Sequence, residues 1–160
     1  MRRFVLASLG LALLLAGCAK PPQQPAATPA FYQRLDAANV AFDPVSMAQL
    51  INAWRIKNTL APLALDAGLN ADAMKMAQRD AQADRSVHGV MPTLARADSN
   101  AQIARPSAGY RTAAEAFSGW RDSPGLNAAM LDPKARRIGL GAFHKPGSKY
   151  GVYWMLIVAP

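Results

Sequence analysis

Apolar residues recur at helical spacing through much of the chain and give way to strand-like runs at its end. Met47, Leu50, Ile51 and Trp54 fall at three- and four-residue intervals, which predicts an amphipathic helix. Ser46 and Gln49 have the spacing of a capping box at its start, and Thr59-Leu60-Ala61-Pro62 ends it after about Asn58. A second helix is predicted from Gly68 to about Arg85, with Leu69, Ala73, Met76, Ala77 and Ala81 sharing one face. Small residues on that face permit the close approach of a sheet, and the methionines serve as core gap-fillers. Thr112 and Glu115 form another capping box, opening a helix through Phe117 and Trp120. Ser123-Pro124-Gly125 then turns the chain into a short fourth helix that stops at Leu131-Asp132-Pro133.

The period changes after that point. Arg137 to His144 and Tyr150 to Val158 are rich in Ile, Val and aromatic residues and flank Lys145-Pro146-Gly147-Ser148-Lys149, which predicts a β-hairpin. Ile138, Leu140 and Ala142 alternate with Gly139, Gly141 and Phe143, and the glycines suggest a helix packed close to one sheet face. Phe31 to Asp43 is a lead-in without a defined pattern, and Met91 to Pro106 reads mainly as loop. Helices first and a hairpin last define an α+β class.

The amino terminus reads as a targeting segment. Arg2 and Arg3 precede an apolar run from Phe4 to Ala16 that is short for a membrane span. It ends in Leu15-Ala16-Gly17-Cys18, the pattern of a lipobox, where small residues allow cleavage before a diacylated Cys18. Multiple acyl chains give stable anchoring. Cys18 is the single cysteine, so no intramolecular disulfide forms. Four prolines between Lys20 and Ala30 favour extended polyproline II and a semi-rigid tether. The expected organisation is a signal peptide over 1–17, a lipidated cysteine and tether over 18–30, and one domain over 31–160. Ala19, where an aspartate would resemble an inner-membrane retention signal, favours the outer membrane facing the periplasm in a Gram-negative host.

Charge narrows the partners. The 18 basic residues exceed the 10 acidic ones, and loss of Arg2 and Arg3 leaves a net charge of about +6. Such a surface suits anionic headgroups or an acidic envelope polymer. Scattered basic residues and an export signal argue against nucleic acid. No His/Cys cluster has metal-ligand spacing and nothing matches G-x-S-x-G, so no metal, cofactor or catalytic residue is assigned. Ser123, in a turn before proline, reads as structural, and Glu115 as a capping partner.

Trp120-Arg121-Asp122-Ser123-Pro124-Gly125, Leu131 and the later Ile138-Gly139-Leu140-Gly141 together resemble the signature of the bacterial CAP superfamily, the SCP or PR-1-like domain. The segment from Asn52 to Asp66 and the closing Gly151-Val152-Tyr153-Trp154 are similar to it as well. The resemblance implies an α-β-α sandwich, with an antiparallel sheet between helical layers and the hairpin in the sheet. It also implies a cavity, with His88 matching a cavity histidine, Gln102 the position nearest a cavity glutamate in Asn100-Ala101-Gln102-Ile103-Ala104, and Leu126 the position of a second histidine. Glutamine cannot act as a proton-transfer base, and leucine contributes only hydrocarbon. The expected function is therefore a membrane-anchored, non-enzymatic domain binding a lipid, another apolar ligand or an envelope component, with His88, Gln102 and Leu126 as cavity residues. A metal-dependent hydrolase, and a structural envelope lipoprotein with a vestigial cavity, are the alternatives.

Overall fold

The computed structural model describes residues 27–84 and 102–160. The targeting segment with Cys18, and His88, lie outside the described residues. A one-turn 3-10 helix at Ala30–Tyr32 comes first, followed by α1 (Pro44–Lys57), β1 (Ala64–Leu65) and α2 (Ala67–Gln82). After the described chain resumes come β2 (Ile103–Ala108), α3 (Ala113–Asp122), α4 (Pro124–Met130), β3 (Arg137–His144) and β4 (Val152–Ala159).

The four strands form one sheet in the order β1-β3-β4-β2. The β3–β4 hairpin and the β2–β4 pair are antiparallel, while the two-residue β1 joins β3 in parallel through Ala64 with Arg137 and Leu65 with Ile138. Helix α2 covers one face, where Leu69, Ala73, Met76 and Ala77 pack with Ala104, Met155 and Ile157. The other face carries α1, α3 and α4, with Met47, Ile51, Trp120, Leu126 and Met130 packed on Ile138, Leu140, Trp154, Leu156 and Val158. This is the three-layer sandwich that the family resemblance implies, within the α+β class read from the residues.

The glycines of β3 set the spacing between α2 and the sheet. A Cβ added at Gly139 would lie 2.4 Å from the Leu69 carbonyl carbon, and one at Gly141 would lie 2.4 Å from that of Ala73. Both distances are below any van der Waals contact, so the helix backbone rests directly on the strand. The face of Leu69, Ala73, Met76, Ala77 and Ala81 is buried throughout, as the periodicity requires.

Two local readings are corrected. Asp43, not Ser46, caps α1: its carboxylate accepts from the amides of Val45 at 3.0 Å and Ser46 at 3.2 Å, and Pro44 occupies the first turn. The Ser46 hydroxyl donates to the same carboxylate. Proline suits this position because its missing N–H would have no helical acceptor.

Within the stretch that reads mainly as loop, Ile103–Ala108 is a strand paired with β4. Gly109 donates to Val152 at 2.9 Å, which sets the phase of this ladder and turns the backbone of Ala104, Pro106 and Ala108 away from β4. Pro106 therefore costs no ladder hydrogen bond on this edge strand.

The lead-in has a defined place as well. Leu35 is buried, Val40 and Phe42 pack against the larger core, and Leu35 N–H bonds to Arg111 C=O at 2.8 Å.

The second capping box is present, with a shifted return bond. Thr112 Oγ1 accepts from Glu115 N–H at 3.1 Å, while the Glu115 carboxylate reaches back to Arg111 N–H at 2.7 Å. Among the described residues, three large buried side chains have their polar atoms answered individually, while Arg105 Nε is buried without a hydrogen-bond partner. Trp120 Nε1 donates to Ser107 Oγ at 2.8 Å and Trp154 Nε1 to Tyr110 C=O at 2.9 Å. Arg55, only 1 % exposed, donates to the carbonyls of Ala61 at 2.8 Å, Met130 at 2.7 Å and Asp132 at 3.0 Å. It thereby clamps the chain after α1 to the carboxyl end of α4.

Candidate functional site

Two of the residues expected to line a cavity fall among the described residues, and they do not share a wall. Leu126 is buried on α4, within the core between the helices and the sheet. Gln102 is buried one residue before β2. Along β2, Ile103 packs toward the α4 side and Ala104 toward the α2 side. Continuing that alternation puts Gln102 in phase with Ala104, on the sheet face opposite Leu126. Neither offers an anionic or imidazole donor for a metal, and among the described residues no three His, Cys, Asp or Glu side chains gather. These positions do not fit a divalent ion.

A broad concavity lies elsewhere, as an open groove of about 740 Å³ beside the free end of β3. The lead-in supplies one wall through Leu35, Val40 and Phe42, and Met74 of α2 supplies another. Ala142, Phe143 and His144 of β3 also line it. Several contacts hold the lead-in in place. Phe42 meets the Trp154 ring edge-on at a centroid separation of 5.3 Å. Leu35 bonds to Arg111, and Asn39 adopts a positive φ of 61° that bends the chain.

Asp36 stands where this groove adjoins a second cavity of about 200 Å³. Arg34 binds its carboxylate in bidentate fashion at 2.9 and 2.7 Å, and Arg111 Nε lies 3.6 Å away. The Arg34 hydrogen bonds hold the Asp36 carboxyl below its ordinary range. The second cavity is lined by Arg111, His144, Lys145 and Lys149 around the hairpin turn, so its rim is predominantly cationic. Lys145 Nζ reaches Gln82 C=O at 3.3 Å, and Lys149 lies over the Tyr150 ring.

Asp84 pins this end of the molecule. Its carboxylate accepts the Lys149 amide at 3.1 and 3.2 Å and the Tyr153 hydroxyl. The Tyr153 hydrogen bond, followed by that of Lys149, keeps the Asp84 carboxyl below its usual range, while burial is the main reason the Tyr153 phenol is raised. No local pattern in the sequence signals the groove, because its walls come from segments far apart in the chain.

Comparison with known proteins agrees with this architecture. The profile described as the CAP, cysteine-rich secretory protein family, matches residues 48–158, and the chain belongs to that family. Among solved structures it is similar to an outer surface protein from Borrelia burgdorferi, with 15 % identity and a TM-score of 0.56. That match covers 71 % of this chain and 88 % of the Borrelia chain. An extracellular protein containing an SCP domain from Bacillus anthracis superposes equally well, at 18 % identity and a TM-score of 0.56, over 71 % of this chain but 39 % of that longer chain. At these identities the likeness concerns the fold alone. Comparison with curated protein sequences returns no match.

Proposed function

We propose that this protein is an extracytoplasmic lipoprotein, acylated at Cys18 and held at the bacterial cell envelope, whose CAP domain is a non-enzymatic binding module for an apolar or envelope ligand. The observation that carries this reading is the open groove walled by Leu35, Val40, Phe42, Met74 and Phe143. A concave apolar surface with a few polar groups at one end is the usual form of a ligand site. Gln102 and Leu126, which stand where the family resemblance implies a glutamate and a histidine, supply neither a proton-transfer base nor a metal ligand, and this supports binding over hydrolysis. The two structural neighbours, an outer surface protein and an extracellular one, favour an envelope location. Ala19 after the acylated cysteine favours an anchor in the outer membrane, facing the periplasm of a Gram-negative host.

Two experiments test it. Cys18→Ser should move the protein from the membrane to the soluble fraction and remove the mass of the acyl chains; a variant that stays membrane-bound sinks the anchor. The apolar dye Nile red should brighten on binding the full-length protein, and Val40→Glu should abolish the increase. An unchanged response would reject the groove as the site. His88→Ala reports separately on the cavity that the family resemblance implies.

A further inference from the structure

We propose that the outer edge of β3 at Ala142–His144 takes an extended acidic peptide, whose backbone adds as a strand along the groove. This inference rests on the binding-module reading above and names the class of ligand.

The phase of the hairpin decides which backbone groups face outward. Lys145 N–H donates to Gly151 C=O at 2.8 Å, so odd-numbered residues of β3 pair with β4. Even-numbered residues turn their N–H and C=O groups outward. Two bonds agree with this phase: Ile138 C=O accepts from Asp66 N–H at 2.9 Å, and Leu140 N–H donates to Asn70 Oδ1 at 2.8 Å. Beyond Leu140 the outward groups belong to Ala142 and His144, and among the described residues no partner answers the Ala142 amide and carbonyl or the His144 amide. Ala142 is only 5 % exposed, and buried backbone groups of this kind are almost always paired.

The other edge of the sheet is protected differently. Pro106 lies on the outward phase of β2, so that edge lacks a donor at its centre. The β3 edge has a cover at Arg137–Ile138 from β1 and a side-chain cap at Leu140; among the described residues it has no hydrogen-bond partner where it lines the groove. An extended backbone satisfies such an edge, whereas an acyl chain would leave its donors and acceptors unanswered. Charge selects the peptide: the groove runs at His144 into the cavity rimmed by Lys145, Lys149 and Arg111. Asp36 is the one carboxylate there and is already held by Arg34 and Arg111, so the two lysines complement carboxylates at one end of the strand. Val40 and Phe42 on one side and Met74 on the other receive alternate apolar side chains.

The test uses the full-length protein in detergent and a fluorescein-labelled peptide of alternating valine and threonine ending in two glutamates. A control peptide is N-methylated on alternate backbone nitrogens. The first peptide should bind and slow hydrogen exchange at the amides of Ala142 and His144, while the control should not. Ala142→Pro deletes the outward amide without touching the ladder to β4 and should weaken binding about tenfold. Should that variant fail to fold, Lys145→Glu combined with Lys149→Glu should produce a comparable loss through the rim alone. Equal binding of both peptides, or slow exchange at Ala142 and His144 before any peptide is added, overturns the proposal. Absence of peptide binding while Nile red still enters the groove overturns the peptide assignment and leaves the binding-module reading standing.

Discussion

Asn70 Oδ1 accepts the amide of Leu140 at 2.8 Å, just beyond the point where β1 ends against Ile138. One side chain on α2 thus closes a sheet edge that β1 is too short to cover. Asn70→Ala should cost about 1–2 kcal/mol by leaving a buried amide unanswered. It should also lengthen the open edge and raise concentration-dependent association. Urea unfolding and sedimentation velocity read the two effects separately.

Arg55 joins three carbonyls from two parts of the chain while almost fully buried. Burial pulls its pKa down, with Asp132 opposing, yet a guanidinium retains its proton. Arg55→Met keeps much of the volume but strands the carbonyls of Ala61, Met130 and Asp132, and a loss of about 3 kcal/mol is expected. Arg55→Lys should recover only part of it, since a single ammonium cannot reproduce the planar fork. Denaturant midpoints of the two variants provide the comparison.

Gly141→Ala tests the packing of α2 against the sheet. The added methyl would meet the Ala73 carbonyl carbon at 2.4 Å and the Met74 nitrogen at 2.5 Å, both backbone atoms. Overpacking of this kind should destabilise by about 1–3 kcal/mol. The same change at Gly147, which has open space but a φ of +74°, should cost less and act through turn strain alone. Thermal unfolding of both variants distinguishes contact from conformation.

Acid should weaken the fold through its capping carboxylates. The Ser46 hydrogen bond lowers the pKa of Asp43, the Leu69 amide that of Asp66, and the Tyr153 hydroxyl that of Asp84. A depressed folded pKa gives stabilisation that is complete above the unfolded value of about 3.9 and is lost as pH falls through the folded value. Stability should therefore stay level as pH falls to about 4 and drop below it. Asp66→Ala should lower stability by about 1 kcal/mol at neutral pH and flatten part of the acid slope, measured by urea unfolding across pH.

The parts of the fold legible in the sequence are those carried by local pattern. The face from Leu69 to Ala81 and the alternation of Ile138, Leu140 and Ala142 with Gly139 and Gly141 predict a helix lying on a hairpin, and the two meet there. At α1 the capping-box spacing of Ser46 and Gln49 misleads, because Asp43-Pro44 carries the stronger helix-start chemistry. Pro106 masks β2, since its place on an edge strand depends on long-range pairing. The lead-in has no period because it lies along the core without forming a long element. The groove is hidden for a related reason: Val40, Met74 and Ala142 converge only after the sheet has formed. Family resemblance groups Gln102 with Leu126, and strand alternation separates them.

Native mass spectrometry of the full-length protein, extracted from membranes without chelator, distinguishes a ligand-binding groove from a metal site. A co-purified apolar or peptide ligand is expected, and it should be lost from the Val40→Glu variant. A single divalent metal, retained in Val40→Glu and lost in His88→Ala, would contradict the binding-module reading.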